Sequence, residues 1–446
     1  MLLQYAAHLF LLCMAGAVAG NTVVVETPFG KLQGVEISAR NDQTFLSFTG
    51  IPYAKPPIGP LRFAKPEPHP ALEGVFDATK VASYCPHPTA LLYIDDMPAG
   101  QEDCLSSTSG TFVTTQDVIL VGVNYRLGIL GFLSTENEAS PGNYGMWDQV
   151  MALRWVKDNI AAFGGDPEDI TISGESAGGA SVGFLSLVPS TRGLFTKVYP
   201  MSGTGNSTFA TAIDAQDHAL EVARSIGCLD KDFEVAGKLN LEESNKMMKC
   251  LREVPLEEIT KLAPFTIERA QFVPLVDGDF LPLHPAQLLR DDEHLETIGF
   301  FNRTYLFSVT NSERAVMQGA VESIEAGINS QENVSEEEKT AQINKLHENT
   351  QKFYLGSRLD TASPSNDLLD KVIDWYNRRL SEHQLPTLVS DLTFIIPTYD
   401  YLNALARSKT TDAYFLYFNH YPGFMRGKHQ KALFMLQTSF TGLIWT

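Results

Sequence analysis

Apolar and polar positions follow two rhythms along this chain. Residues 118–123 (VILVGV) are a short unbroken apolar run, the pattern of a strand covered on both faces. A helical rhythm follows: Met146, Val150, Leu153, Val156 and Ile160 recur at spacings of four, three, three and four, and Gly164-Gly165 marks the stop. Residues 170–173 (ITIS) predict another strand and residues 177–187 the next helix, while residues 305–309 and 414–418 predict later strands. Further helices are predicted near 336–355, opened by the capping box Ser335…Glu338, and over 366–383 and 391–406. Between 44 and 70, Pro52, Pro56, Pro57, Pro60, Pro66, Pro68 and Pro70 predict an extended surface loop. Strands alternating with helices predict an α/β class with a mostly parallel central sheet clad on both faces.

Composition narrows the picture. The 446 residues are 44% hydrophobic and 20% charged, values that suit a chain with a buried core and exclude collagenous, disordered and many-span membrane classes. No internal repeat or low-complexity linker divides the sequence, so residues 21–446 read as one domain. Acidic residues outnumber basic ones by 53 to 34, giving a net charge of −19, a field that repels phosphate backbones and argues against nucleic acid as a partner. Residues 9–19 (LFLLCMAGAVA) are apolar and end in Ala17-Val18-Ala19, the small-x-small pattern of a signal peptidase site. A span needs about 20 apolar residues. Residues 1–20 are therefore expected to be a signal peptide, and the mature chain secreted, with no membrane span.

Once Cys13 is assigned to the signal peptide, Cys85, Cys104, Cys228 and Cys250 remain. In an oxidising compartment an even set favours disulfides, and four cysteines allow three pairings. Joining nearest neighbours closes loops that constrain the unfolded chain by about 3 kcal/mol each in the entropy model. No CxxC or clustered histidine accompanies them, so no metal is expected. Sequons at Asn206, Asn302 and Asn333 predict glycosylation and suit the same compartment.

The chemistry-bearing pattern is Gly174-Glu175-Ser176-Ala177-Gly178, G-x-S-x-G. Its setting counts more than its letters: a predicted strand leads into it and a predicted helix follows. That is the nucleophile elbow, in which small residues flank a strained turn so that the serine hydroxyl projects clear of its neighbours. Such a serine needs a general base, and the base needs an orienting carboxylate, in the chain order Ser, Asp/Glu, His. Glu313, just after the predicted strand 305–309, stands where that acid is expected.

At this point the chain resembles the type B carboxylesterase family, which includes cholinesterases and bile-salt-activated lipase. The matching stretches are residues 50–68 (GIPYAKPPIGPLRFAKPEP), Glu102-Asp103-Cys104-Leu105, residues 117–134 (DVILVGVNYRLGILGFLS) and residues 141–182 (PGNYGMWDQVMALRWVKDNIAAFGGDPEDITISGESAGGASV). Weaker similarity runs from residues 272–282 to Phe418-Asn419-His420. The resemblance implies an α/β-hydrolase fold and a carboxylic ester hydrolase acting through an acyl-enzyme on small-molecule or lipid esters, with no cofactor. It implies Ser176 as nucleophile, Glu313 as triad acid, the backbone N–H of Ala177 as one oxyanion donor, and the pairings Cys85–Cys104 and Cys228–Cys250.

The departures are as informative. After Leu105 the family continues into two strands and a glycine-rich loop that carries further oxyanion donors, whereas here only residues 106–116 (SSTSGTFVTTQ) precede Asp117. The G-x-x-H segment that bears the family's base has no counterpart: similarity stops near residues 421–425, His420 matches a position before the loop, and His429 sits in the foreign context Lys428-His429-Gln430-Lys431. Arg314 replaces the glycine that usually follows the acid, and Pro200 sits in a stretch that matches a central strand, where it removes a ladder bond. Ile94 stands where cholinesterases place a choline-stacking tryptophan, so quaternary ammonium selectivity is not expected. Three readings follow: an esterase, a non-catalytic binding member, or a product of exon skipping or a faulty gene model. Lost sheet strands are expected to leave unpaired backbone groups and an uncovered face. Little or no hydrolysis of short p-nitrophenyl esters is expected.

Overall fold

A computed structural model describes residues 21–38, 44–86, 100–110, 118–230, 232–233, 237–262, 272–310, 313, 322, 324–331, 334–358, 371, 374, 384–418 and 442–445. Residues 1–20, Ile94, Arg314, Asn333, all of the 366–383 stretch but 371 and 374, His420 and His429 lie outside the described residues.

One sheet organises the chain. Its strands are β1 (Thr22–Thr27), β2 (Gly30–Ser38), β3 (Thr44–Pro52), β4 (Val75–Asp77), β5 (Ser106–Gly110), β6 (Leu120–Val123), β7 (Thr171–Glu175), β8 (Lys197–Met201), β9 (Thr304–Thr310), β10 (Ala413–Phe418) and β11 (Gly442–Trp445). The order across the sheet is β1-β2-β3-β5-β6-β11-β7-β8-β9-β10, with β4 beside β2. From β7 to β10 neighbouring strands are parallel. From β1 through β6 the path is antiparallel, and β11 lies antiparallel to both β6 and β7. The α/β-hydrolase architecture expected from the sequence is present, with the parallel half carrying the G-x-S-x-G motif.

Local sequence explains the elements around that motif. Helix α1 (Tyr144–Asn159) buries Met146, Val150, Leu153 and Val156 on one stripe, tightens into a 3-10 turn over Ile160–Phe163, and stops at Gly164, whose φ of 93° only glycine adopts without strain. Helix α2 (Ala177–Leu187) buries every residue from Gly178 onward, as a helix under a two-sided sheet must. Its last turn, β7 and α1 all contribute to the main core, which includes Ile172, Phe184, Leu187, Tyr305 and Phe307. A second cluster gathers around Tyr144, Met247, Met248 and Leu251, under helices α3 (Ala215–Ile226) and α4 (Leu241–Glu253). Cys85 pairs with Cys104 and Cys228 with Cys250, as the resemblance implied. Arg62 joins the two bridged regions: its guanidinium holds Glu102 and donates to the carbonyls of Leu251, Arg252 and Val254.

Several expectations need correction. Residues 44–52 are not surface loop: they form β3, with Phe48 and Ile51 buried and Pro52 as the last residue, opposite Ser106 of β5. Tyr53, Ala54 and Phe63 of the following loop are buried as well. Pro200 is accommodated in β8, because the ladder to β9 passes from Val198 directly to Met201. The capping box is real, with Ser335 Oγ accepting from Glu338 N and Ser335 N donating to Glu338, and the helix it opens runs over Glu336–Arg358. Helix α5 (Ile396–Leu405) is preceded by a π-helical turn, Asp391–Ile395, which accommodates Pro397 in its first turn. The shortened segment after Leu105 does not leave the sheet split. Strand β5 turns back as an antiparallel partner of β6, and β11 fills the space between β6 and β7. Among the described residues no helix is long and apolar enough to cross a membrane.

Candidate active site

Ser176 stands at the junction of β7 and α2 with φ 56° and ψ −117°, a conformation that side-chain-bearing residues rarely adopt. The surroundings force it there. Its N–H donates to Met201 O at 2.9 Å, tying it to the end of β8, and its carbonyl accepts from Ala180 N at 2.9 Å, starting the helix. The turn is possible because two glycines let backbone meet backbone. A Cβ on Gly174 would lie 2.4 Å from the Gly178 carbonyl, and one on Gly203 would lie 2.3 Å from Ser176 O. Ser176 and Ala177 remain half-buried at the surface of this packing. The Ser176 hydroxyl has no hydrogen-bond partner among the described residues, so it is sterically presented and uncommitted. Ala177 is the first residue of α2, and its N–H therefore has no acceptor within the helix.

Glu313 follows β9 and is 1% exposed. Its Oε1 accepts from Ser202 Oγ at 2.7 Å and from Thr310 N at 2.6 Å. Its Oε2 is buried and has no hydrogen-bond partner among the described residues. Burial pushes the Glu313 carboxyl up, against the pull of the Thr310 and Ser202 hydrogen bonds. Ser202 itself sits just past β8 at φ 48°, its N–H donating to Ser308 O. The ends of β7, β8 and β9 thus place Ser176, Ser202 and Glu313 along one edge of the sheet.

A second carboxylate belongs to this edge. Glu175, the last residue of β7, is buried, and its Oε2 also lacks a hydrogen-bond partner among the described residues. Burial, followed by repulsion from Glu313, raises its pKa to about 8. The pair therefore carries less than two full charges near neutral pH. Glu175 lies inside the G-x-S-x-G motif, yet nothing in the pattern distinguishes it from a solvated glutamate. Ser202 and Gly203 follow a strand in the run Met201-Ser202-Gly203-Thr204-Gly205, and that cluster of small residues was the only signal that could have flagged them.

The other predicted residues fall in different places. No histidine among the described residues hydrogen-bonds Ser176 or Glu313. His69 sits on the Pro70 carbonyl, His218 pairs with Glu221, His284 caps a short helix, His294 meets the Leu187 carbonyl and His347 meets Glu325. Asn302 is exposed, as a glycan acceptor must be. Asn206 is not: it is 4% exposed, and the amide nitrogen a glycan would occupy donates to Asp400 at 2.6 Å. The folded chain therefore does not present the Asn206 sequon. Among the described residues no group of three or more His, Cys, Asp or Glu side chains is arranged to hold a metal ion.

Comparisons with known proteins give the family. A model of the carboxylesterase family matches residues 21–108 and 106–440. The two matches meet at the point where the sequence passes from Glu102-Asp103-Cys104-Leu105 into its shortened segment. Gut esterase 1 of Caenorhabditis briggsae is 31% identical over 446 aligned residues, which cover 89% of this chain and 74% of that protein. Acetylcholinesterase-1 of Trittame loki is 32% identical over 336 residues, 65% of this chain and 58% of the relative. With the family model matching nearly all of residues 21–440, the chain belongs to the carboxylesterase family of carboxylic ester hydrolases.

Proposed function

We propose that the chain is a serine esterase by construction, with Ser176 as nucleophile toward small-molecule or lipid carboxylic esters. Ser176 Oγ bonds to the ester carbonyl carbon while its proton passes to a base, a role for which this sequence offers no histidine in the family's G-x-x-H context. The carbonyl oxygen, now anionic, is met by the Ala177 N–H at the N-terminus of α2. The alcohol leaves with the proton returned by the base, and water then releases the acid from the acyl-enzyme. Glu313 is the carboxylate that orients the base: Ser202 and Thr310 fix one oxygen, and the unpartnered Oε2 is the atom an imidazole N–H would reach. The observation that carries this reading is Ser176, held in a strained turn with an uncommitted hydroxyl. The mechanism calls for no cofactor or metal.

The reading also sets a limit on rate. The glycine-rich loop with its further oxyanion donors is missing from the sequence, and each such donor is worth about 10²–10³ in turnover. The family's base is missing from the sequence as well, so little or no hydrolysis of short esters is expected. General carboxylic esters, of the kind the name gut esterase suggests, fit better than choline esters, because Ile94 replaces the stacking tryptophan. The two disulfides are compatible with secretion, which the signal-peptide reading of residues 1–20 supports. A binding-protein reading draws support from the same missing loop and from the unpartnered Oε2 of Glu313. Fluorophosphonate labelling separates the two. A tag on Ser176, located by mass spectrometry and lost in Ser176→Ala, supports the esterase. Folded protein that takes no tag favours the binding protein.

A further inference from the structure

The strand β11 joins the two halves of the sheet. Gly442, Leu443, Ile444 and Trp445 pair with Val123, Gly122, Val121 and Leu120 of β6. On the other side Leu443, Ile444 and Trp445 pair with Ser173, Ile172 and Thr171 of β7. Strand β6 is otherwise paired with β5, and β7 with β8. Without β11, two rows of backbone N–H and C=O groups would face each other across an empty strand width, beside the buried Val121 and Ile172.

Topology says how β11 reaches that place. Strands β7 to β10 run in parallel, and β11 is antiparallel to β7, so the chain leaves β10 and enters β11 at the same edge of the sheet. That is the edge of Ser176 and Glu313. Four strand spacings separate β10 from β11, about 19 Å at roughly 4.8 Å each. Residues 419–441 connect them, and twenty-three residues can reach about 80 Å when extended. The tether is several times longer than the distance it bridges, and the strand it delivers is four residues long.

We propose that the groove between β6 and β7 is an acceptor site for an extended apolar strand, and that β11 occupies it as a tethered, exchangeable ligand of the chain's own. Recognition is by strand addition: main-chain hydrogen bonds on both sides supply the affinity, and the flanking strands fix the register. Covalent connection to β10 keeps the strand in reach of the groove at any protein concentration, while the short ladder lets it leave and return. Occupancy couples β6 to β7, the strand that ends at Ser176, so an empty groove loosens the elbow from the antiparallel half.

The test uses the full chain, with a labelled synthetic peptide of residues 440–446 (FTGLIWT) as the probe. Val121→Cys and Ile444→Cys substitute two residues paired directly across the β6–β11 ladder, a register whose Cα spacing suits a disulfide. Oxidation is expected to crosslink them within one chain and to slow amide exchange at 120–123 and 171–173 at least tenfold, with 22–38 unchanged. The peptide should enter the reduced form saturably and be excluded from the oxidised form, and a peptide carrying Ile444→Pro should not enter. The unsubstituted chain, measured in parallel, should take up the same peptide. Failure of the crosslink to form, crosslinks found only between chains, or unaltered exchange with no peptide uptake by the unsubstituted chain would each overturn the proposal.

Discussion

The elbow and the β6–β11 junction lie on adjacent strands of one sheet, yet they are built in opposite ways. At the elbow every constraint is short-range or comes from the next strand: Gly174 and Gly203 allow the close approach, Met201 holds the Ser176 N–H, and Ser202 holds Glu313. At the junction the pairing comes from residues more than three hundred positions away in sequence. A local motif keeps its geometry as long as its immediate neighbours persist. A sheet interior accepts whatever strand satisfies its backbone. That difference explains how a chain with a shortened centre retains the strained turn at Ser176.

Four substitutions break or sharpen this contrast, taken from the largest expected effect to the smallest. Ser176→Ala should abolish fluorophosphonate labelling, a loss of at least a hundredfold, with a melting temperature close to that of the unsubstituted chain. Next comes the buried ion pair behind β6. Arg126 donates to Asp148 from Nε at 2.8 Å and Nη2 at 2.7 Å, and both side chains are buried. Asp148→Ala leaves the guanidinium uncompensated and should cost about 3–5 kcal/mol in chemical denaturation. Ser202→Ala removes one of the two donors to Glu313 Oε1 and should cost about 1–2 kcal/mol. It should also slow labelling of Ser176, and Ser202→Thr should restore the rate, which a purely structural role would not require.

Glu175→Gln gives the smallest effect and the most specific one. In the folded chain Glu175 keeps its proton up to about pH 8, whereas the same carboxyl in the unfolded chain releases it near 4.5. The native state therefore binds more protons between those values. The stability contributed is fully present below pH 4.5 and is lost as the pH rises toward 8. The glutamine variant, neutral throughout, should lose that slope, read as melting temperature against pH. A slope that survives the substitution would place the titration elsewhere.

Much of this was legible beforehand. The strand at 170–173, the helix at 177–187 and the serine between them follow from periodicity and from small residues at fixed offsets, because an elbow is specified within about ten residues. Structure extends that strand to Glu175, directly against the serine. Residues 305–309 and 414–418 are strands as expected, with Glu313 placed beyond the first of them. The N-terminal strands were less legible: β3 lies in a proline-rich stretch whose composition argues for loop, and only burial of Phe48 and Ile51 makes it sheet. The Asn206 sequon looked like any other until packing with Asp400 enclosed it.

Sequence alone determined the turn chemistry at Ser176, the helix that follows it, the cysteine set that becomes two disulfides, and membership in the α/β class. These depend on backbone preferences and on periodicities that act over one or two turns. Only the tertiary structure decided which strand stands between β6 and β7, that Glu175 holds its proton beside Glu313, and that Ser202 fixes the Glu313 carboxylate. Each of those depends on groups brought together from distant positions, where burial strengthens electrostatics and an unpaired backbone demands a partner. No pattern along a single chain records that demand until the chain has folded.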